Sequence, residues 1–320
     1  MSTPNALIEA VTYYSNPDVC HALMIQVKWP KGIECPHCGA KGDRIGQVAT
    51  RRMIRCKDCR KQISTKVDTI FEDSPLPLTK WFVAVWCIAN AKNGISSCEL
   101  ARALGVMQKT AWFMLHRIRT AMETGSFQKM DGPSEADTTY IGGKAANMHK
   151  ARREKVITGR GASGKTAVHG VLQRPDGQTH STVRAAVIGS ETSHSLMAQV
   201  RTHVRYGARV FTDCASAYGD LALTHFHKMI DHARCYAIGE IHVNGMENFW
   251  CLLKRTIGGT YTAVAPFHLT RYVAEQVWRF NNRETGDGVR FRRVLGGVVG
   301  KRLTYRVLTN QDDAGFMGIE

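Results

Sequence analysis

A chain of 320 residues with 43% apolar content holds two or three domains and at least one sizeable core, which excludes a disordered chain, a collagen-like repeat and a small disulfide scaffold. Lysine and arginine number 43 against 27 acids, a formal charge of +16, so a polyanion is the expected partner: nucleic acid first, an acidic membrane surface second. The longest apolar stretch, Trp81 to Ala91, falls well short of the roughly 20 residues that span a bilayer, and no basic-then-apolar leader is seen, so a cytoplasmic protein with reduced thiols and no membrane partner is expected.

Residues 1–30 read as a helical segment and residues 31–72 as a zinc ribbon. Cys35-Pro-His-Cys38 and Cys56-Lys-Asp-Cys59 are separated by seventeen residues, inside the spacing of a four-thiolate zinc site, and each pair predicts a tight knuckle. Gly39, Gly42 and Gly46 are expected to supply turns, and Arg52 to Arg55 a short strand into the second knuckle. A site with all four positions filled does no chemistry; it staples the fold and presents a surface. Arg51, Arg52, Arg55, Lys57, Arg60, Lys61 and Lys66 surround it with only Asp58 interspersed, a face for DNA phosphate or a solvated basic surface.

Residues 73–128 change to a helical pattern after Pro75 and Pro77. Ser96 or Ser97 is expected to cap one helix, Gly105 to make the turn, and Lys109 to Met122 to form a second helix that carries Arg117 and Arg119. Helix, glycine turn and helix are the outline both of a DNA-binding helix-turn-helix and of an ordinary helical hairpin.

From residue 129 to 300 strands come first and helices after, which predicts an α+β domain with one mixed sheet, followed by a tail over 301–320. Asp137-Thr-Thr-Tyr-Ile-Gly-Gly143 reads as a strand ending in a turn, and Lys144, Arg152, Arg153, Arg160 and Lys165 follow in a basic, glycine-containing loop suited to a DNA backbone. Gly159 to Thr166 satisfies the phosphate-loop pattern G-x4-G-K-[ST], but no strand precedes it and a β-branched segment follows where a helix is required. Thr166–Leu172 and Thr182–Ile188 flank Pro175-Asp-Gly177 as a hairpin. Helices are expected over Ser193–Arg205, from Asn244, and over His268–Phe280, with a strand at Ala208–Asp213.

Asp137, Asp213 and Glu247, with Asn244 a turn before Glu247, are hard oxygen donors carried on separate elements, the donor chemistry of a Mg2+ pair. Lys254 lies seven residues, two helical turns, after Glu247 and so shares its face. His225, His227, His232 and Cys235 have loose metal-like spacing, although histidines satisfied within a sheet are the simpler reading. Phe249, Trp250, Trp278 and Phe280 are expected to pack.

The whole chain resembles a bacterial insertion-sequence transposase of the zinc-ribbon type. The resemblance rests on the ribbon, Asp137-Thr-Thr-Tyr-Ile-Gly-Gly-Lys144, Gly159-Arg-Gly161 with Lys165-Thr166, Thr212-Asp213 with Tyr218, His242-Val-Asn-Gly-Met-Glu247-Asn-Phe-Trp250 through Lys254-Arg255, Thr260-Tyr261 and Arg279 to Arg283. It implies an RNase H-like catalytic fold with an acid triad, Mg2+ (or Mn2+) beside the ribbon's Zn2+, and Asp137 and Asp213 as metal ligands. Lys254 corresponds to the basic residue after the third ligand. Related groups place Glu or Asn third, so Glu247 and Asn244 both qualify; the carboxylate is the stronger ligand and keeps the register with Lys254. Thr138 stands where the family often has an acid. The implied activity is binding of element ends and two-metal 3'-end cleavage with strand transfer into target DNA, by a homo-oligomer in a nucleoid-associated, cytoplasmic setting. A nuclease that never joins, or a DNA-binding regulator, are the rival functions.

Overall fold

The structure, a computed structural model, describes residues 4–123, 125, 128–143, 148–157, 163–177, 179–231, 237 and 239–309. The chain divides into two units, one comprising Met1–Glu123 together with Thr285 onward and the other Thr124–Glu284. Among the described residues no helix is long and apolar enough to cross a membrane.

The first unit opens with α1 (Leu7–Tyr14) and α2 (Pro17–Lys28). Proline at the first position of α2 and the Asn16 side chain, accepting from the Asp18 N–H at 2.8 Å, start the second helix. The ribbon follows as three antiparallel strands, β1 (Ile45–Val48), β2 (Met53–Cys56) and β3 (Gln62–Ser64). Gly39 and Gly42 make left-handed turns as expected, whereas Gly46 lies within β1. Then come α3 (Leu78–Asn90), α4 (Ser97–Leu104) and α5 (Gln108–Met122). Ser96 and Glu99 form a reciprocal capping box at α4, and Gly105 ends that helix at φ +60°. The helix-turn-helix outline is therefore present. Its second helix is buried on all sides from Met114 to Arg119, the pattern of a core helix rather than of one with a free reading face.

The second unit is built on β4 (Ser134–Ile141), α6 (Lys150–Val156), β5 (Thr166–Gln173), β6 (Thr182–Ile188), α7 (Ser193–His203), β7 (Arg209–Asp213) and β8 (Phe226–Ile230), then α8 (Asn244–Thr256) and α9 (Leu269–Asn281). The strand order is β6-β5-β4-β7-β8, with β4, β5 and β6 antiparallel and β7 and β8 parallel to β4. This is the mixed, RNase H-like sheet of an α+β domain, flanked on both faces. Ala136, Val171 and Val210 face Leu196 and Val200 of α7, while Val168, Leu172 and Val183 face Phe249, Leu253 and Val273 of α8 and α9. Gly170 sets how closely α8 descends: a Cβ there would lie 2.5 Å from Met246 Cε and 2.8 Å from the Trp250 ring.

The chain then returns to the first unit through α10 (Asp287–Gly296) and the short α11 (Tyr305–Leu308). Residues 285–300, expected with the catalytic domain, are drawn there by packing. Phe291 is fully buried against Tyr14, Phe82 and Trp86 at ring separations of 4.7, 5.6 and 5.5 Å.

Candidate active site and metal centre

In the ribbon, the Cys35, Cys38, Cys56 and Cys59 sulfurs all lie within 4.8 Å of one another, with 3.6 Å between Cys35 and Cys59 and 3.5 Å between Cys38 and Cys56. Bonds of about 2.3 Å from tetrahedral zinc to sulfur place sulfurs roughly 3.8 Å apart, so the four thiolates fit Zn2+. It is the only such cluster among the described residues. His225 Nδ1 and His227 Nε2 instead pair with the Thr224 and Thr212 hydroxyls at 2.9 and 2.8 Å, and His232 and Cys235 lie outside the described residues.

The acids are organised by the sheet. Glu135 of β4 pairs in parallel register with Phe211 of β7, so Asp137 and Asp213 each stand two residues further along neighbouring strands, Asp137 in the middle of β4 and Asp213 at the carboxyl end of β7. Alternation turns Asp137 toward α8, where Gly170 is its register partner on β5 and leaves room for Trp250. The Trp250 indole N–H donates to Asp137 Oδ2 at 2.9 Å, and the Thr138 N–H donates to Oδ1 at 2.8 Å. Glu247 sits in the first turn of α8 and is exposed, as is Asn244. Burial, and then the facing charges of Asp213 and Glu247, push the Asp137 carboxyl up to about 6 against the two hydrogen bonds. The three carboxylates thus share one electrostatic site without closing to within 4.8 Å of one another. Such a donor set suits a divalent cation, because the cation relieves the repulsion that raises Asp137.

Two partners of this site escaped the sequence reading. Trp250 was expected only to pack, and it packs and also holds Asp137. Glu191, hydrogen-bonded by the Tyr140 hydroxyl, is a fourth carboxylate, raised by burial and by Asp213. Thr138 occupies the opposite face of β4, where its hydroxyl lies 3.1 Å from His169 Nδ1, with Tyr218 beyond. Burial lowers His169 to about 4 and keeps it neutral. An acid at position 138 would therefore not join the carboxylate set, which removes the significance of that departure.

Among the expected DNA contacts, Lys165 and Lys254 line one groove of about 750 Å3 with Tyr140, Gly142 and Gly258. Arg51, Arg52, Arg55, Arg153 and Arg255 are exposed, Arg52 in an ion pair with Asp18 at 2.7 Å. Lys144 and Arg160 lie outside the described residues, as does the side chain of Arg152. Thr166 opens a strand, so the phosphate-loop pattern lacks its helix. Arg117 and Arg119 are buried and are not part of a DNA-facing surface; Arg117 donates to the Leu303 and Glu72 carbonyls at 3.0 and 2.8 Å. Asn244 is the first residue of α8, and the residue before it, Val243, offers no side-chain cap.

Residues 129–281 match the family model of an ISXO2-like transposase domain, and residues 15–62 that of a transposase zinc-ribbon domain. A Halobacterium salinarum protein described as an uncharacterized protein in transposable element ISH50 is 28% identical over 262 residues, covering 78% of this chain and 86% of that protein. A Haemophilus influenzae protein described as transposase-like is 31% identical over 103 residues, covering 32% of this chain and 83% of that protein. No solved structure matches the chain.

Proposed function

The chain belongs to the insertion-sequence transposases that carry an N-terminal zinc ribbon, and from that premise we propose that it binds the terminal inverted repeats of its element, cleaves their 3' ends and joins them to target DNA. The observation that carries this reading is the placement of Asp137 in the middle of β4, Asp213 at the end of neighbouring β7 and Glu247 in the first turn of α8, the helix whose Trp250 bonds Asp137. Asp137, Asp213 and Glu247 would hold a pair of Mg2+ or Mn2+ ions, with Asn244, one turn from Glu247 on the same face, the rival third ligand. Bound there, the ions supply Lewis-acid activation of the attacking oxygen and charge stabilisation of the leaving one.

The chain's own residues supply positioning. Trp250 and the Thr138 N–H fix both oxygens of Asp137. Lys254 and Lys165 place cations in one groove beside the end of β4, where a DNA phosphate would be held. Within the first unit Arg51, Arg52 and Arg55 on the ribbon, and within the second Arg153 and Arg255, are exposed cations that would each contact DNA phosphate. Cleavage and joining are both in-line phosphoryl transfers, so one set of carboxylates serves both steps. Synapsis of two element ends needs two protomers, making the active complex a homo-oligomer on DNA, within a bacterial nucleoid.

The test is Mg2+-dependent strand transfer on a labelled duplex carrying the ends that flank the gene, comparing wild type with Asp213→Asn, Glu247→Gln and Asn244→Ala. Joined products that vanish in Asp213→Asn are expected, and the failure of either Glu247→Gln or Asn244→Ala identifies the third ligand. Cleavage without joining would replace this reading with a nuclease, and specific binding without cleavage with a regulator.

A further inference from the structure

Glu135 is a carboxylate with only 1% of its surface exposed, two residues before Asp137 and on the same face of β4. A buried charge of this kind is maintained only by partners, and every partner found belongs to the approach or start of α8 or to the arginine that straps it down. Glu135 Oε2 accepts from the Met246 N–H at 2.9 Å, one of the helix's orphan first-turn donors, and its negative charge faces the positive end of the helix dipole. Glu135 Oε1 takes the Arg174 Nε–H at 2.7 Å and lies 3.4 Å from His242 Nδ1. Arg174 in turn donates to the Glu240 and His242 carbonyls, both at 2.7 Å, and its guanidinium stacks over Phe211 of β7 at 4.3 Å.

The spacing has a physical logic. Met246 meets Glu135, and one turn later Trp250 meets Asp137. Four helical residues advance about 6 Å and two strand residues about 6.7 Å, so helix and strand lie in step over this span and Glu247 falls between the two anchors. Gly245 is required by the same approach, since a Cβ there would lie 2.8 Å from Glu135 Oε2.

We propose that Glu135 is a positioning residue: with Arg174 it clamps the first turn of α8 to β4 and so holds Glu247 opposite Asp137. The clamp gives His242, Gly245 and Met246 of the His242 to Trp250 segment a role in holding the helix start. The inference rests on the reading of Asp137, Asp213 and Glu247 as cation ligands.

The experiment uses the full, zinc-loaded chain without DNA and reads two quantities. One is hydrogen exchange at the Met246 and Glu247 amides; the other is Tb3+ affinity, followed by emission sensitised through Trp250. Glu135→Gln removes the charge, Gly245→Ala pushes the carboxylate away while favouring the helix, and Leu196→Ala in α7 is a control that lowers the melting temperature elsewhere in the unit. Exchange at least tenfold faster and Tb3+ affinity at least tenfold weaker in both clamp variants, with neither change in the control, supports the proposal. Unchanged exchange in Glu135→Gln overturns it, as does faster exchange with wild-type Tb3+ affinity or equal effects in the control. If wild type itself binds no Tb3+, the cation reading fails first and the proposal falls with it, an outcome told apart because in every other case wild type binds.

Discussion

Asp137 carries the conflict that makes the site chemically useful. Its carboxyl is raised from 3.8 to about 6 by burial and then by Asp213 and Glu247. Below the ordinary carboxylate range both folded and unfolded forms are protonated and the shift has no effect on stability. Between about pH 4 and pH 6 the unfolded chain releases its proton first, so folding loses up to roughly 3 kcal/mol, and above pH 6 the whole loss persists. In magnesium-free buffer the stability gap between Asp137→Asn and wild type should therefore move in the variant's favour by up to about 3 kcal/mol from pH 4 to pH 7.5, read by urea unfolding. A gap constant with pH would refute the assigned environment. Asp137, Asp213 and Glu247 stand out in the sequence as candidates because carboxylates before a turn, at a strand end and in a motif are chemically conspicuous. Trp250 does not, since helical spacing marks it as apolar and says nothing of which way its N–H points. Glu135 was hidden for a related reason: an acid in a strand reads as solvent-facing until the helix that covers it is known.

At the level of elements, the ribbon was the most readable part, because four cysteines at fixed spacing specify both ligands and loops. Its fully buried cluster is Ile54 and Ile63 with Cys35 and Cys56, edged by half-buried Ile25, Trp29, Ile33 and Ile45, so two of its four buried members are metal ligands themselves and the three short strands depend on the metal. Chelation of zinc, or Cys56→Ser, should unfold β1 to β3 and abolish end binding, seen as loss of the ribbon's amide protection. The outline left a reading helix and an ordinary hairpin both open, and what the structure corrects is the place of Arg117 and Arg119 among the DNA contacts, because arginines spaced around a helix look exposed when its packing partners lie far away in sequence. The partners of Arg117 are the Leu303 and Glu72 carbonyls. Arg117→Ala should thus lower stability by about 1 to 3 kcal/mol through unsatisfied buried groups, leaving the salt dependence of DNA binding unchanged. Arg55→Ala, on the ribbon surface, should instead reduce the salt slope by about 1 with little change in melting temperature. Strand β8 went unread because Phe226-His-Lys-Met-Ile230 is short, polar in the middle and at the sheet's edge, where only one neighbour constrains it.

For the molecule as a whole, a domain order read along the chain places each segment with its neighbours, and that expectation separates 285–300 from the unit where it packs. Helix α10 closes the aromatic core of Tyr14, Phe82 and Trp86, so the first unit is discontinuous, with the second inserted between Glu123 and Thr285. Ending the chain at Glu284 should leave the catalytic unit's sequence whole yet open that aromatic core. The expected result is loss of near-ultraviolet aromatic signal and rapid proteolysis of α1 to α3, and a truncated chain with an intact, protease-resistant first unit would contradict it. Discontinuity also imposes an order in time. During synthesis the ribbon and its neighbouring helices leave the ribosome first, but Phe291 emerges only after every strand of the inserted sheet has been made. The nascent first unit therefore waits for its last aromatic ring, and a message read only part way through should yield a chain whose first unit stays open to proteolysis.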